Sequence, residues 1–82
     1  IVSMELDIRG QRPDDAAPIV ERYVDNASLS GMPFVRIIHG KGTGALRASV
    51  REQLTRHPLV KGVAGGDPRE GGEGVTIVTL ER

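Results

Sequence analysis

The sequence contains no cysteine and no tryptophan, and its single tyrosine and phenylalanine are Tyr23 and Phe34. Without cysteine the chain can form neither a disulfide framework nor a zinc site of the cysteine type, as is usual for proteins of a reducing cytoplasm. Both aromatic residues stand at core-like positions, so stacking platforms for single-stranded bases are missing. Any contact with a nucleic acid would therefore be directed at its backbone, with little sequence preference.

Long apolar runs are absent too. No stretch approaches the ~20 residues that span a bilayer, and no charged-then-apolar signal segment opens the chain. We therefore expect a cytoplasmic domain without a membrane partner. The 82 residues suffice for one core but not for two. Because the chain begins with Ile1 rather than methionine, we expect it to be part of a longer protein.

The chain also lacks a net charge, since eleven basic residues balance eleven acidic ones. The two signs are unevenly distributed. Between Arg36 and Lys61 the sequence holds six basic residues and one acid, Glu52, so the remainder is acidic. Such a segment is typical of a domain that offers one side to phosphates, although a solvated helix face gives the same pattern. Within it, Arg47 and Arg51 are four residues apart and share one flank of a helix.

Apolar periodicity divides the chain into six elements. Val2–Arg9 alternates apolar and polar residues as a half-buried strand does. After it, apolar residues recur every three or four positions, which predicts a helix that ends at Gly31. Pro18 fits this helix only in its first turn, so Asp15 is favoured over Pro13 as the N-cap. Further strands are predicted at 34–38, 59–63 and 75–80, with a helix that Pro58 ends after the first of them and a glycine-rich loop at 65–74 before the last.

The predicted order is β-α-β-α-β-β, an α/β fold of two layers with a four-stranded mixed sheet. Two helices cannot cover both faces of four strands, so we expect both helices on one face. The right-handed crossover rule makes the first three strands parallel, and the long loop allows the fourth to run antiparallel.

A glycine-rich turn, residues 39–44, joins the second strand to the second helix. Its three glycines let the backbone approach an anion closely, and amides at the start of a helix point towards it. Lys41 adds a positive charge, and Thr43 is a candidate cap. A Walker A site is excluded, because Val35 and Gly42 stand where that motif needs a glycine and a serine or threonine. The alternative is that the glycines only permit a tight turn.

Four polar side chains meet at the carboxyl ends of the first two strands if these strands are neighbours: Asp7, Arg9, His39 and Lys41. Open α/β sheets place ligands at this edge. His39 could act there as general acid or base on a phosphodiester, with Asp7 to orient or activate and the two cations to stabilise transition-state charge. Two alternatives remain open. Asp7 and Arg9 could form a structural ion pair, and His39 could simply hydrogen-bond a loop carbonyl.

The sequence predicts no metal site. Asp67, Glu70 and Glu73 share one loop, but carboxylates among glycines are usually solvated. His57 stands at the last turn of the second helix and is interpreted as a partner of the helix dipole.

Three segments of the chain carry motifs of a known family. They are LDIRG at Leu6–Gly10, HGKGTGALR at His39–Arg47 and GGEGVTIVTL at Gly71–Leu80. Together they resemble the Smr, or small MutS-related, domain, which is marked by an LDLRG-type segment and an HGxGxG-type segment followed by a leucine. Ile8 departs conservatively from the usual leucine. The chain is most similar to the Smr modules at the carboxyl end of the second bacterial MutS paralogue, so we expect a part of a larger MutS-like ATPase.

The resemblance implies a fold like the C-terminal domain of translation initiation factor three, with strand order 1-2-4-3 and strand four antiparallel. It implies an endonuclease that nicks DNA, including branched recombination intermediates, and that acts in DNA repair by suppressing homologous recombination. Other members of the family act on messenger RNA or on collided ribosomes. The alternative function is therefore a non-catalytic module that docks onto nucleic acid or ribosomes during ribosome rescue.

Carried over to this sequence, Asp7 and Arg9 fall in the first motif, and His39, Gly40, Lys41 and Gly42 fall in the second. Together with the expected convergence at the sheet edge, this assigns catalysis to Asp7, Arg9 and His39. Phosphate binding is assigned to the turn and to two arginines of the following helix: Gly40, Lys41, Gly42, Thr43, Gly44, Arg47 and Arg51. We expect no cofactor in this domain. Dependence on a divalent metal is left open, and ATP would bind only to the parent protein, which is expected to be a homodimer.

Overall fold

A computed structural model describes residues 2–81 of the chain. Its helices and strands are β1 (Glu5–Asp7), α1 (Pro13–Leu29), β2 (Phe34–Ile38), α2 (Ala45–Thr55), β3 (Val60–Gly65) and β4 (Val75–Leu80). Two short 3-10 turns, Pro68–Glu70 and Gly72–Gly74, lie in the glycine-rich loop before β4. The predicted α/β class and the order β-α-β-α-β-β are confirmed.

The four strands form one mixed sheet in the order β1-β2-β4-β3. β1 pairs with β2 in parallel, whereas β4 lies between β2 and β3 and is antiparallel to both. The strand order and the direction of β4 are therefore as predicted. Because β1 and β2 are parallel neighbours, the loops that follow them leave the sheet at the same edge.

Both helices pack on the same side of the sheet. α1 contributes buried residues at a helical spacing, including Val20 and Val24, and α2 contributes Val50 and Leu54. These side chains join inward-facing residues of β2 and β4 in a single cluster. Burying each such aliphatic side chain contributes about 1.5–3 kcal/mol, so this cluster fixes the position of α2 and of the turn that precedes it.

The start of α1 differs from the prediction. The helix begins at Pro13 with Arg12 as the N-cap, and Pro18 lies inside it. Asp15 is therefore not the cap. Proline at the first helical position loses no hydrogen bond, and Asp14 and Asp15 in the first turn complement the helix dipole. Pro18 is on the exposed side of α1, where water can serve the carbonyl that proline leaves without a donor.

The two edge strands also differ in extent from the prediction. β1 is confined to Glu5–Asp7 within the predicted 2–9, and β3 covers Val60–Gly65 rather than 59–63. A register irregularity between Val60 and Gly62 accompanies this shift. Each edge strand has only one neighbour, so apolar alternation alone defines its ends poorly. Within residues 2–81, neither helix has the length and apolar character that crossing a bilayer requires.

Candidate functional site

The glycine turn connects the end of β2 to the start of α2. Gly44 is the N-cap of α2 and has a φ of 86°, a conformation that favours glycine. Thr43 is therefore not the capping residue. Its hydroxyl nevertheless accepts a hydrogen bond from the amide of Ala45 at 3.3 Å, so it does satisfy one amide of the first turn of the helix.

The carbonyl of Gly74 holds the start of the turn. It accepts hydrogen bonds from the amides of His39 at 3.1 Å and Gly40 at 2.9 Å. A methyl group at Gly74 would lie 3.5 Å from the Cα of Gly40, so the loop before β4 runs directly against the turn. The amide of Gly40 is thus already used within the protein.

Only some of the amides of residues 40–44 are available to bind an anion. Gly44 also donates its amide internally, to the carbonyl of Lys41 at 2.9 Å. Within residues 2–81, the amides of Lys41, Gly42 and Thr43 donate to no protein acceptor. These three amides, together with the exposed side chain of Lys41, are the groups that the turn offers to an anion.

The turn borders two concavities. One has a volume of about 330 Å³ and is lined by the loop after β1, Gly10–Pro13, and by residues 39–46. The other, of about 180 Å³, is lined by residues 41–44 together with Arg47 and Glu73. A larger concavity of about 450 Å³ lies on α1, around Ile19 and Tyr23, and contains none of the predicted site residues. The two concavities at the turn therefore define the candidate site.

Asp7 and Arg9 lie beside the turn and bind each other. The Arg9 Nε donates to both oxygens of Asp7, at 3.0 and 3.1 Å, and the Nη2 donates to Oδ2 at 2.7 Å. These hydrogen bonds hold the pKa of the Asp7 carboxyl below its ordinary value and raise that of Arg9. The Arg9 stem passes Gly40, since a methyl group there would lie 3.4 Å from Arg9 Cγ. The structure thus brings both residues to the turn, as an ion pair.

His39 is 5% exposed, and both its ring nitrogens have partners. Nδ1 lies 2.9 Å from the carbonyl of Gly40 and Nε2 lies 2.8 Å from Oγ1 of Thr76. A carbonyl only accepts, so Nδ1 carries the proton and Nε2 accepts from the Thr76 hydroxyl. Arg51 Nε donates to the same Oγ1 at 3.1 Å. The pKa of His39 lies below its ordinary value, and burial is the largest cause. The hydrogen bond to the Gly40 carbonyl raises the pKa, whereas the nearby charges of Arg51 and Arg47 lower it.

The environment of His39 restricts its chemistry. The hydrogen bond to Gly40 is the loop-carbonyl contact that the sequence allows as the alternative to catalysis, and the one to Thr76 joins the turn to β4. The sequence motifs did not indicate Thr76 as a residue of the site. The alternation of β4 could have indicated it, because residues 76, 78 and 80 face the core and only Thr76 among them is polar. In this arrangement His39 positions the turn, and it can exchange a proton with a substrate only by releasing one of its partners.

The basic segment does not form one open face. Each of its arginines has a partner within the protein: Arg36 contacts Glu5 and Glu70, Arg47 contacts Glu73, Arg56 contacts Glu52, and Arg51 contacts Thr76. Among the residues that the structure describes, Lys41 has no ion-pair partner. Within the basic segment, the positive charge that the turn offers to an anion therefore comes first from Lys41.

The three acidic residues of the glycine-rich loop each contact a different partner. The Asp67 carboxylate accepts from the amide of Arg69 at 2.9 Å, whereas Glu70 and Glu73 pair with different arginines. They do not converge on one point.

A cluster at the other end of α2 was not predicted. Glu21, Asp25 and His57 place potential ligand atoms within 4.8 Å of one another. His57 Nε2 is 3.0 Å from Glu21 and 2.9 Å from Asp25, and Nδ1 accepts from the amide of Leu59 at 3.1 Å. Because Nδ1 accepts, Nε2 carries the proton and donates it to the carboxylates. A metal ion would need the Nε2 lone pair, so His57 instead links α1 to the end of α2.

Comparison with known proteins identifies relatives over nearly the whole chain. Endonuclease MutS2 of Geobacillus sp. strain WCH70 is 55% identical over 80 residues, which cover 98% of this chain and 10% of that protein. The putative endonuclease MutS2 of Bacillus subtilis is 54% identical with the same coverage. The chain thus spans about a tenth of the length of these relatives.

Solved structures share the fold. The Smr domain of Thermus thermophilus MutS2 matches with a TM-score of 0.93 at 42% identity, covering 95% of this chain and 98% of that one. YdaL, a stand-alone small MutS-related protein from Escherichia coli, matches with a TM-score of 0.90 at 27% identity, covering 96% and 65%. The sequence profile of the Smr domain matches residues 6–81. The chain therefore belongs to the Smr domain family.

Proposed function

We propose that this Smr domain is a nucleic-acid endonuclease domain that nicks DNA with little sequence preference. The observation that carries the proposal is the 330 Å³ concavity lined by Gly10–Pro13 and residues 39–46. Its lining includes Lys41 and the three residues of the turn whose amides have no acceptor within residues 2–81. The names of the MutS2 relatives, which include "endonuclease", support it. Branched recombination intermediates are the proposed substrates, and suppression of recombination during repair in the cytoplasm is the proposed role.

The proposed roles follow from the contacts. The amides of residues 41–43 and Lys41 bind the phosphate, and Arg9 stabilises the charge that develops on it. A carboxylate with a lowered pKa is a weak proton acceptor, so Asp7 is assigned an orienting role towards Arg9 and the attacking water. His39 is held neutral by its lowered pKa, which is the form that a general base requires, and it acts after releasing Thr76. No cofactor held by this domain enters the proposal.

The proposal is tested by nicking of supercoiled plasmid and of a four-way DNA junction. We expect His39→Ala to lower the nicking rate by about 10²-fold or more, the range for loss of an acid-base group. Asp7→Asn should also lower it strongly, because Arg9 and the attacking water lose the carboxylate that orients them. Glu52→Gln, an exposed acid of α2, is the control and should nick at the wild-type rate. A parallel series with EDTA reports whether a divalent metal takes part. Wild-type rates in both site variants would refute the assigned site.

A second function is favoured by one specific observation. Asp7 and Arg9 bind each other, and both nitrogens of His39 are occupied, which describes a rigid surface rather than a set of groups free to react. A non-catalytic module would bind nucleic acid, or ribosomal RNA during ribosome rescue, without cleaving it. Absence of nicking combined with salt-dependent binding that Lys41→Ala weakens would establish this function. The same assay with duplex RNA distinguishes the two nucleic acids.

A further inference from the structure

The second concavity at the glycine turn already contains an anion supplied by the protein. Its walls are residues 41–44, Arg47 and Glu73. The Glu73 carboxylate lies 3.0 Å from Nη1 of Arg47, in the position that a phosphate oxygen would take against a guanidinium. From the sequence alone, Glu73 is expected to be a solvated loop residue without a role.

The two partners of this ion pair are held unequally. The Arg47 side chain is 33% exposed and lies on α2, whereas the Glu73 side chain is 79% exposed and belongs to a 3-10 turn. An ion pair with so exposed a partner is weak in water. Gly74, the next residue, is fixed to the turn through the amides of His39 and Gly40. The Glu73 carboxylate can therefore leave Arg47 by side-chain rotation while the loop stays in place.

The two concavities share one wall. Residues 41–44 line both of them, so a chain of phosphates that binds along the turn can reach both concavities. A single phosphate can occupy only one of them. The arrangement thus favours a polynucleotide strand over a small phosphorylated ligand.

We propose that the second concavity binds a neighbouring phosphate of a polynucleotide strand through Arg47, and that Glu73 occupies this position when no nucleic acid is bound. The inference rests on the proposed function, because it adds a second phosphate to the same turn. Glu73 acts as an internal competitor. It lowers the affinity of the domain for nucleic acid and is displaced when a strand binds.

The test is the affinity of the domain for a fluorescein-labelled duplex 20-mer, measured by anisotropy at low salt. We expect Glu73→Gln to bind about two- to five-fold more tightly than wild type, in keeping with the modest strength of a largely exposed ion pair. The matched control is Glu70→Gln, which removes the same charge from the same loop. Among residues 2–81 its only ion-pair partner is Arg36, which lies outside both concavities and keeps its contacts with Glu5 and with the main-chain carbonyl of residue 70.

A double-mutant cycle assigns the effect to Arg47. In an Arg47→Ala background, Glu73→Gln should bring no gain beyond that of the Glu70→Gln control. An equal gain from Glu73→Gln and Glu70→Gln, or a gain that persists without Arg47, would overturn the inference while leaving the proposed function intact. If neither the wild-type domain nor any variant binds DNA or RNA at low salt, both the inference and the proposed function fail.

Discussion

His39 and His57 lie on either side of α2, one before its first residue and one after its last. Both are nearly inaccessible to solvent, with 5% and 6% of their surface exposed, and both use the two nitrogens of the ring in hydrogen bonds. Burial and hydrogen-bond count therefore do not distinguish them.

Their protonation and surroundings are opposite. His39 carries its proton on Nδ1 and accepts at Nε2, whereas His57 accepts at Nδ1 and donates from Nε2. Arginines surround the first, and their charges lower its pKa in addition to burial. Carboxylates of Glu21 and Asp25 surround the second. A histidine among cations is kept neutral, while one that bridges two carboxylates serves as a donor between elements.

The difference separates function from scaffold. His39 ties the glycine turn to β4 and so belongs to the candidate site, whereas His57 ties α1 to the end of α2 and touches no part of that site. Substitutions at the two ends should therefore have different consequences for stability and for nucleic-acid binding.

The largest effect is expected from His57→Ala. Removing the buried ring leaves a cavity and an amide of Leu59 without its acceptor, so we expect a loss of about 3 kcal/mol in the free energy of unfolding. For a domain of this size that lowers the Tm by about 4–8 °C per kcal/mol. Thermal denaturation followed by circular dichroism measures it. The affinity of the folded protein for DNA should be unchanged.

The matched variant is His39→Ala, the same substitution at the other end of α2. It should lower stability as well. The affinity for DNA, measured below the Tm of both variants, should fall in His39→Ala but not in His57→Ala. Equal losses of DNA affinity in the two variants would contradict the assignment of His39 to the site and of His57 to the scaffold.

A smaller effect is expected from Thr76→Val, which keeps the shape of a fully buried side chain and removes its hydroxyl. The Nε2 of His39 and the Nε of Arg51 then lack their partner, at a cost of about 2 kcal/mol. Thr76→Ser retains the hydroxyl and should lose much less. Urea denaturation compares the two, and equal destabilisation would show that the hydroxyl is not what holds the turn.

The next effect depends on pH. Because the pKa of folded His39 lies below its ordinary value of 6.5, the unfolded chain takes up a proton first as the pH falls. The stability that His39 contributes is therefore complete above pH 6.5 and is lost as the pH falls through its folded pKa, by at most about 1.4 kcal/mol per pH unit. The stability that comes from the lowered pKa of Asp7 is complete above pH 3.8, its ordinary value, and is lost only below it, so it does not change between pH 7 and pH 5.

Urea denaturation between pH 7 and pH 5, for wild type and His39→Gln, isolates this contribution because His57 is present in both. Nuclear magnetic resonance of the ring protons gives the midpoint directly. A His39 midpoint above 6.5 would contradict the assigned environment.

The smallest effect is expected from Asp25→Asn. Asp25 is half-exposed, and Glu21 remains as a second acceptor for His57, so we expect a loss of only about 0.5–1 kcal/mol. Adding Glu21→Gln should cost more than the sum of the two single changes, since the two carboxylates replace each other. Strict additivity in urea denaturation would show that His57 does not bridge both.

Much of the fold follows from local patterns in the sequence. Alternation, helical periodicity and the glycine stop at Gly31 specify the six elements, and the crossover rule specifies the direction of their strands. The start of α1 could not be derived in this way, because Pro13 and Pro18 each fit a first turn and only the packed helix shows which one does. The ends of β1 and β3 depend on a single neighbouring strand.

The site was predictable as a location and less so as a set of contacts. Motif order and strand direction place Arg9 beside the turn, where the structure has it. The partners of each side chain depend on residues distant along the chain: Thr76 is 37 positions from His39, and Glu73 is 26 positions from Arg47. No local pattern encodes such pairs. His57 and Asp25 are likewise far apart along the chain, at 32 positions.

β4 is the last of the four strands along the chain, yet it occupies an interior place in the sheet between β2 and β3. The Gly74 carbonyl that fixes the turn stands immediately before this strand, and Thr76 lies within it. During synthesis, β1, β2 and both helices emerge before the strand that shapes the turn, and its pairing closes long loops. A growing chain therefore has no formed turn until its final strand is added, so the capacity to hold phosphate arises in the closing step of folding.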